Sequence, residues 1–173
     1  LGIDVGSSGV KVMLVNAAGQ ALAVASSSYT TSYPHPGFVE QNSDDWYGAA
    51  CIAVREVIAS TQAAPERVKG IGLSGTSHVP SLLDENYKLL RPAILWNDVR
   101  SGEQVKRLTD EQGAFIENTA GNSINCTWSL AQLAWVREQE PAAFSKVRHV
   151  LFSKDYLAYR LTGVMSADHS TAV

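Results

Sequence analysis

Three short apolar stretches open the chain, at 1–5, 10–16 and 21–29, separated by Gly6-Ser7-Ser8-Gly9 and by Asn-Ala-Ala-Gly-Gln. Apolar runs of this length bounded by turn residues read as strands, and so close together they form an antiparallel meander. The first turn carries more than topology. The strand before it contains Asp4, and Lys11 opens the returning strand. A glycine-rich turn exposes successive backbone N–H groups, and a concave array of such donors binds anionic oxygens. Asp4 adds a hard carboxylate oxygen of the type Mg²⁺ accepts, usually through its retained waters. Asp4, Gly6, Ser7, Ser8 and Lys11 together read as a site for Mg²⁺ and a nucleotide phosphate. A Gly-Ser hairpin with a solvated Asp and Lys has the same local composition, so both readings stand at this point.

Beyond the meander, Tyr33-Pro34-His35-Pro36-Gly37-Phe38 is a loop leading to Ser43, an N-cap candidate followed by Asp44 and Asp45 in the favourable first turn of a helix. Trp46, Ala50, Ala53, Val54 and Val57 recur at helical spacing and give that helix one buried face. A glycine-bounded, β-branched run at 68–75 has the character of a buried strand. Further strands are expected at 79–84 and 93–96, with Asp84-Glu85-Asn86 as the turn between hairpin arms, and at 148–152. Helices are expected at 100–112, 129–139 and 153–161, the last stopped by Gly163 at C′. The order βββαβ followed by mixed strands and helices makes this an α/β domain with a mixed sheet.

The 173 residues are 45% hydrophobic and 18% charged, enough apolar material for a sizeable globular core. A net charge of −3 with no long basic block gives no surface for nucleic acid or an anionic membrane, so small molecules are the expected partners. No run approaches the roughly 18 apolar residues of a membrane span, and no signal peptide is recognisable at the start, so a cytoplasmic address is expected by default. Cys51 and Cys126 read as buried free thiols. His149 and His169 have no paired ligand at zinc spacing, and no Gly-x-Ser-x-Gly elbow marks a hydrolase. Leu1 already lies inside a strand and Val173 follows the polar stretch 166–171, so both ends are expected to be cuts in a longer polypeptide.

Five blocks occur in one order: Gly2-Ile3-Asp4-Val5-Gly6-Ser7-Ser8-Gly9-Val10-Lys11, His35-Pro36-Gly37-Phe38-Val39-Glu40-Gln41, Gly70-Ile71-Gly72-Leu73-Ser74-Gly75, Leu90-Arg91-Pro92-Ala93-Ile94-Leu95-Trp96-Asn97-Asp98 and Lys154-Asp155-Tyr156-Leu157. With this order the chain resembles the FGGY-family carbohydrate kinases, most of all the xylulokinases, over essentially its whole length. The resemblance implies the actin/Hsp70/sugar-kinase (ribonuclease H-like) fold and the N-terminal domain of such a kinase, incomplete at its C-terminal side and with its second domain absent. It implies ATP and Mg²⁺ as cofactors and a small-molecule sugar as partner, D-xylulose foremost, and it is compatible with a homodimer. Ribulose, glycerol, a sugar acid or a tetritol are alternative acceptors, and a non-catalytic nucleotide-binding module is the alternative of another class.

By the same resemblance, Asp4 organises Mg²⁺ through water, the amides of Gly6, Ser7 and Ser8 meet the β- and γ-phosphates, and Lys11 offsets charge on the moving phosphoryl group. The sugar falls to Ser77 and His78 in the loop after Gly75, and to Trp96, Asn97 and Asp98. Xylulokinases carry Gln-Met-His-Gly where this chain has Thr76-Ser77-His78-Val79. His78 has a structural hydrogen-bonding role as its alternative, and Asp98 that of an N-cap or ion-pair partner for the helix carrying Arg100. Trp128 and Trp135 read as core, and the block from His35 to Glu40 as a turn pinning the meander to the first helix. The family's catalytic base, an Asp in a Gly-rich segment, is expected beyond Val173, so no residue here is assigned that part.

Overall fold

The computed structural model describes residues 1–168; His169 and the end of the polar stretch 166–171 lie outside the described residues. Its elements are β1 (Gly2–Val5), β2 (Gly9–Val15), β3 (Ala21–Ser28), β4 (Glu40–Gln41), α1 (Ser43–Thr61), a 3-10 turn at Pro65–Arg67, β5 (Gly72–Gly75), β6 (Pro80–Leu83), β7 (Ala93–Ile94), α2 (Gly102–Ala120), α3 (Ser129–Gln139), α4 (Pro141–Phe144), β8 (His149–Phe152) and α5 (Ser153–Thr162). They divide into two compact units. The first takes in Leu1–Thr30, Ser43–Thr76 and Ser153–Ser166, the second Thr31–Asn42 and Ser77–Phe152.

In the first unit the sheet order is β3-β2-β1-β5, with β1 antiparallel to β2 and parallel to β5. The meander explains the antiparallel part. A parallel neighbour needs a crossover, which α1 supplies between β3 and β5. Strand alternation then sorts the faces: Ile3, Val5, Val10, Val12 and Leu14 are buried, while Asp4, Lys11 and Met13 are exposed. α1 packs on β1, β2 and β3, and α5 on β1 and β5. Trp46, Ala50, Ala53 and Val57 of the expected stripe are buried along α1, joined by Ala49, while Val54 is half-buried. Each Val, Ile or Leu side chain so covered contributes about 1.5–3 kcal/mol.

The Lys154-to-Leu157 block finds its structural task here. Tyr156 and Leu157 are buried, and the Tyr156 ring meets Trp46 edge-on at 6.3 Å. The Tyr156 hydroxyl donates to Asp44 Oδ1 at 2.7 Å, and Arg160 pairs with the same carboxylate. Burial, and then the Asp44 hydrogen bond, push the Tyr156 hydroxyl up to about 12. It therefore stays a donor, and α5 is tied to the first turn of α1. Gly163 ends α5 at φ +73°, with its N–H on Tyr159 O at 2.7 Å.

β5 begins at Gly72, four residues later than the sequence suggested. Its ladder runs from the Gly2–Gly72 pair to the Val5–Gly75 pair, so it is only as long as β1. Val68 is instead held by the 3-10 turn, its N–H on Pro65 O at 3.0 Å.

In the second unit, β4 pairs antiparallel with β7, and β6 with β8. The 84–86 turn forms, with Asp84 Oδ1 accepting from the N–H groups of Asn86 and Lys88 at 2.8 and 3.0 Å. Its return arm, however, is a single bridge between Leu83 and Leu89. Residues 93–94 leave that hairpin and pair with Glu40–Gln41. The block from His35 to Gln41 is thereby one side of a small sheet as well as a turn. α2 continues eight residues past the expected 112. A mid-helix Gly113 costs only about 1 kcal/mol, and Ile116 is buried with Ile124 and Ala131, which favours continuation. Gly121, at φ +70° with its N–H on Glu117 O, stops it. A second cluster gathers Leu82, Ile94 and Val136. Both cysteines are free and half-buried.

One close approach governs the first turn: a Cβ on Gly9 would sit 2.7 Å from the carbonyl oxygen of Ser27. Backbone cannot give way as a flexible side chain does. Gly9→Ala is expected to destabilise the protein by about 1–3 kcal/mol, the usual cost of overpacking. Urea unfolding checks this, and an unchanged midpoint would mean that β2 and β3 can separate there freely.

Candidate active site

The turn between β1 and β2 is built by hydrogen bonds that leave its acid and its cation outside. Gly6 N–H donates to Gly9 O at 3.0 Å. That amide is committed to closing the turn and does not point outward as expected for Gly6, while Ser7 and Ser8 are exposed. Asp4 and Lys11 are direct cross-strand partners on the exposed face of the sheet. The parallel pairing sets Ser74 opposite Asp4 on its other side. One face thus presents, side by side, a hydroxyl, a carboxylate and an ammonium group.

Two features hold this turn. Gly9 pairs with Ser28 of β3, at an approach that only a residue without a Cβ allows. The Tyr29 hydroxyl donates to the Gly6 carbonyl, and burial, followed by repulsion from Asp4, raises the Tyr29 pKa well above its ordinary value. It remains protonated and donating at any ordinary pH. Among the described residues no three His, Cys, Asp or Glu side chains gather into a metal cluster. A divalent ion at Asp4 would fit the Mg²⁺ pattern, in which one or two carboxylates serve and waters and phosphate oxygens supply the rest.

The sugar-side candidates lie in the second unit. His78 adopts φ +56°, a left-handed conformation that costs a side-chain-bearing residue roughly 1–3 kcal/mol and gathers at functional sites. Its imidazole lies nearly parallel to the Trp128 indole, 5.7 Å between centroids and 14° between planes. Desolvation holds its pKa below the ordinary 6.5, so the ring is neutral at pH 7. Ser77 and Asn97 are exposed, and Trp96 is 44% exposed at the end of the β7 segment.

Asp98 is of another kind. At 1% exposure it accepts the Val39 N–H at 2.6 Å and the Arg100 N–H at 2.8 Å, and it forms a salt bridge with Arg100 Nη2 at 2.7 Å. Both carboxylate oxygens are committed within the protein, which is the geometry of the ion-pair alternative. Gly37, at φ +81°, belongs to the same assembly: its carbonyl accepts from Val99 N at 3.0 Å, and a Cβ there would lie 2.8 Å from Val99 Cγ2.

Sequence reasoning brought Asp4 and Lys11 together correctly, since they face each other across a two-strand turn. It did not identify Tyr29, Ser74 or Trp128. Tyr29 carried a signal, being an aromatic at the end of an otherwise small-residue strand. Ser74 could be found only from the register of a parallel pair. Trp128 was read as core. It is half-buried, packs against Ile116, Ile124 and Ala131, and also stacks on His78.

The FGGY family of carbohydrate kinases, N-terminal domain, matches residues 1–173. The chain belongs to that family. It is 40% identical over 172 residues to the xylulose kinase of Klebsiella pneumoniae and 36% identical to that of Bacillus subtilis (strain 168), in each case over 99% of this chain. It covers 35% and 34% of those proteins, so it spans about a third of the length of the curated relatives it matches. The crystal structure of xylulose kinase from Rhodospirillum rubrum superposes with a TM-score of 0.92 at 32% identity, covering 99% of this chain and 36% of that one. The fold is that of the sugar kinases in the actin/Hsp70-like group, an α/β domain with a mixed sheet.

Two outcomes follow from the geometry. Tyr29→Phe removes the donor to the Gly6 carbonyl, and the expected loss is about 0.5–1.5 kcal/mol, read as a lower unfolding midpoint. No loss would show that water replaces the phenol without penalty. For His78, the imidazole is expected to titrate below 6.5 when followed by NMR. The unfolded chain then binds the proton more readily, so this contribution to stability is complete above pH 6.5 and is lost as pH falls towards the folded-state pKa. A midpoint at or above 6.5 would contradict the desolvated, stacked ring.

Proposed function

We propose that the full-length protein transfers the γ-phosphoryl group of MgATP to a primary hydroxyl of a ketose, with D-xylulose as the acceptor and xylulose 5-phosphate as the product. The observation that carries this reading is the pairing of Asp4 with Lys11 beside a glycine turn too tight at Gly9 for any side chain, in a chain whose named relatives are xylulose kinases. Phosphoryl transfer asks a protein mainly for positioning and for charge offset. In this reading Lys11 and the Ser7 and Ser8 amides hold phosphate oxygens, and Asp4 orients water on Mg²⁺. Bound Mg²⁺ supplies charge neutralisation to the phosphates.

On the acceptor side, His78 presents a neutral imidazole that both donates to and accepts from hydroxyls. Trp128 fixes the ring plane. Trp96 offers an indole face suited to the C–H side of a sugar, and Asn97 an amide for its hydroxyls. Asp98 serves them from behind, through Arg100 and Val39, by fixing the backbone that carries Trp96 and Asn97. The base that takes the hydroxyl proton is assigned to a residue outside these 173. The departure of Thr76-Ser77-His78-Val79 from the xylulokinase pattern keeps ribulose, glycerol and sugar acids in the acceptor panel that tests the reading.

Asp4→Asn in the full-length protein is expected to lower kcat by about 10²–10³, the scale of losing one well-placed electrostatic group in a transition state. The KM for xylulose should stay within about twofold, because Asp4 belongs to the phosphate side. Coupled ADP-release kinetics at saturating sugar check this. An unchanged kcat would remove Asp4 from the chemistry, and no sugar-dependent ADP release from the unsubstituted protein with any acceptor in the panel would sink the kinase reading.

A further inference from the structure

Gln132 lies on α3, and neither its helical position nor any motif singles it out in the sequence. It is 1% exposed. Its Nε2 lies 3.3 Å from the carbonyl oxygen of His78, 3.4 Å from that of Leu95 and 3.3 Å from that of Thr127. The orientation of the amide is fixed by chemistry: three carbonyl oxygens converge on one end of it, and only the NH₂ end can face them without repulsion. The other end, Oε1, is buried with no hydrogen-bond partner. Leaving such an oxygen unsatisfied costs about 1–3 kcal/mol, so this glutamine is not an optimal choice for stability alone.

The three carbonyls are not a random set. His78 is itself an acceptor-side candidate, Leu95 immediately precedes Trp96, and Thr127 immediately precedes Trp128. One side-chain amide therefore gathers the backbone of three loops that are distant in sequence, two of them at or next to a residue assigned to the acceptor and the third next to Trp128, which stacks on His78. One of those points is strained: His78 sits at φ +56°, and its carbonyl is where Gln132 takes hold. The imidazole of the same residue is stacked on Trp128, whose loop is held by the same amide.

We propose that Gln132 is the positioning residue of the acceptor side, fixing His78, Trp96 and Trp128 relative to one another and thereby setting affinity and selectivity for the sugar. The inference rests on the kinase reading above and deepens it. Gln132 does not touch the substrate. It acts through the main chain of the loops that do, so its loss is felt as a looser acceptor site and leaves the phosphate side as it was.

The test uses the full-length protein and two near-isosteric changes. Gln132→Met keeps the volume and helix propensity and removes both donors, and Gln132→Glu replaces the donors with a repelling oxygen. Each is measured for the KM of sugar and of ATP, for its preference between xylulose and ribulose, and for thermal unfolding. The expected result is a sugar KM raised roughly tenfold or more, an ATP KM within about twofold, and a narrowed preference between the two sugars. In a His78→Ala background the effect of Gln132→Met on sugar KM is expected to shrink to about threefold or less, because a residue acting through His78 has less left to act on. Parallel shifts in both KM values, an unchanged sugar KM, or full additivity with His78→Ala would each overturn the proposal. So would failure of both variants to fold, which would make Gln132 a residue of the core. The unsubstituted protein is assayed first on the acceptor panel: if it phosphorylates another acceptor, that acceptor replaces xylulose, and if it phosphorylates none, the kinase reading fails independently of Gln132.

Discussion

The ion pair of Asp98 with Arg100 is the constraint on which the second unit depends. Each side chain is 1% exposed, and ions removed from water at such depth cost several kcal/mol apiece unless their hydrogen-bonding capacity is met. Here it is met. Asp98 takes the Val39 amide and the Arg100 fork. Arg100 reaches Glu40 at 2.7 Å, Glu40 also takes Arg91 at 2.6 Å, and Arg91 ends on Glu140 at 2.8 Å. The guanidinium is covered by the Phe38 ring at 3.9 Å and the Trp135 ring at 4.9 Å. A network so closed stabilises little relative to an apolar core of equal volume, but removing one member leaves an uncompensated buried charge. Its consequence is conformational: segments 37–41 and 91–100 can meet in only one register.

That constraint gives two of the sequence blocks a shared structural task. The run from His35 to Gln41 supplies Phe38 beneath the guanidinium, the Val39 amide for Asp98 and Glu40 for two arginines. The run from Arg91 to Arg100 supplies the opposite charges and, between them, Trp96 and Asn97. These two therefore emerge from a backbone held at both ends, by the β4–β7 pair before them and by Asp98 after them. A small-molecule site gains from such preorganisation, because a loop already fixed loses little entropy when a ligand arrives.

The first unit was legible to the extent that its determinants are local. The short apolar runs of β1 and β2, turn composition and most of the apolar stripe of α1 each occupy a few consecutive residues, and they reappear in the structure. What failed was non-local. The start of β5 is set by the length of β1, and the partner of residues 93–94 is Glu40–Gln41, some fifty positions away. α2 runs past the expected end at 112 and through Gly113 because the burial of Ile116 against Ile124 and Ala131 outweighs that glycine's propensity cost.

The same distinction separates the two sets of candidate residues. A turn able to hold phosphate is made by backbone amides in succession, and tight approach demands glycine, so the candidates for that task lie in adjacent positions from Asp4 to Lys11. A sugar has no single charge to grip. It must be met by a few directed groups on a shaped wall, and the candidates for them in this chain stand at positions 78 and 96–97, with neighbours that hold them at 98, 100, 128 and 132. No two of these loops are adjacent in sequence, and the residue that joins them, Gln132, makes its contacts to main-chain oxygens that any side chain could carry. The sequence of a contacting loop can therefore drift, as at Thr76-Ser77, while its backbone placement is retained by an amide elsewhere. For that reason a candidate phosphate turn is readable from a few consecutive residues, whereas a candidate sugar site that depends on how three distant loops are held is not.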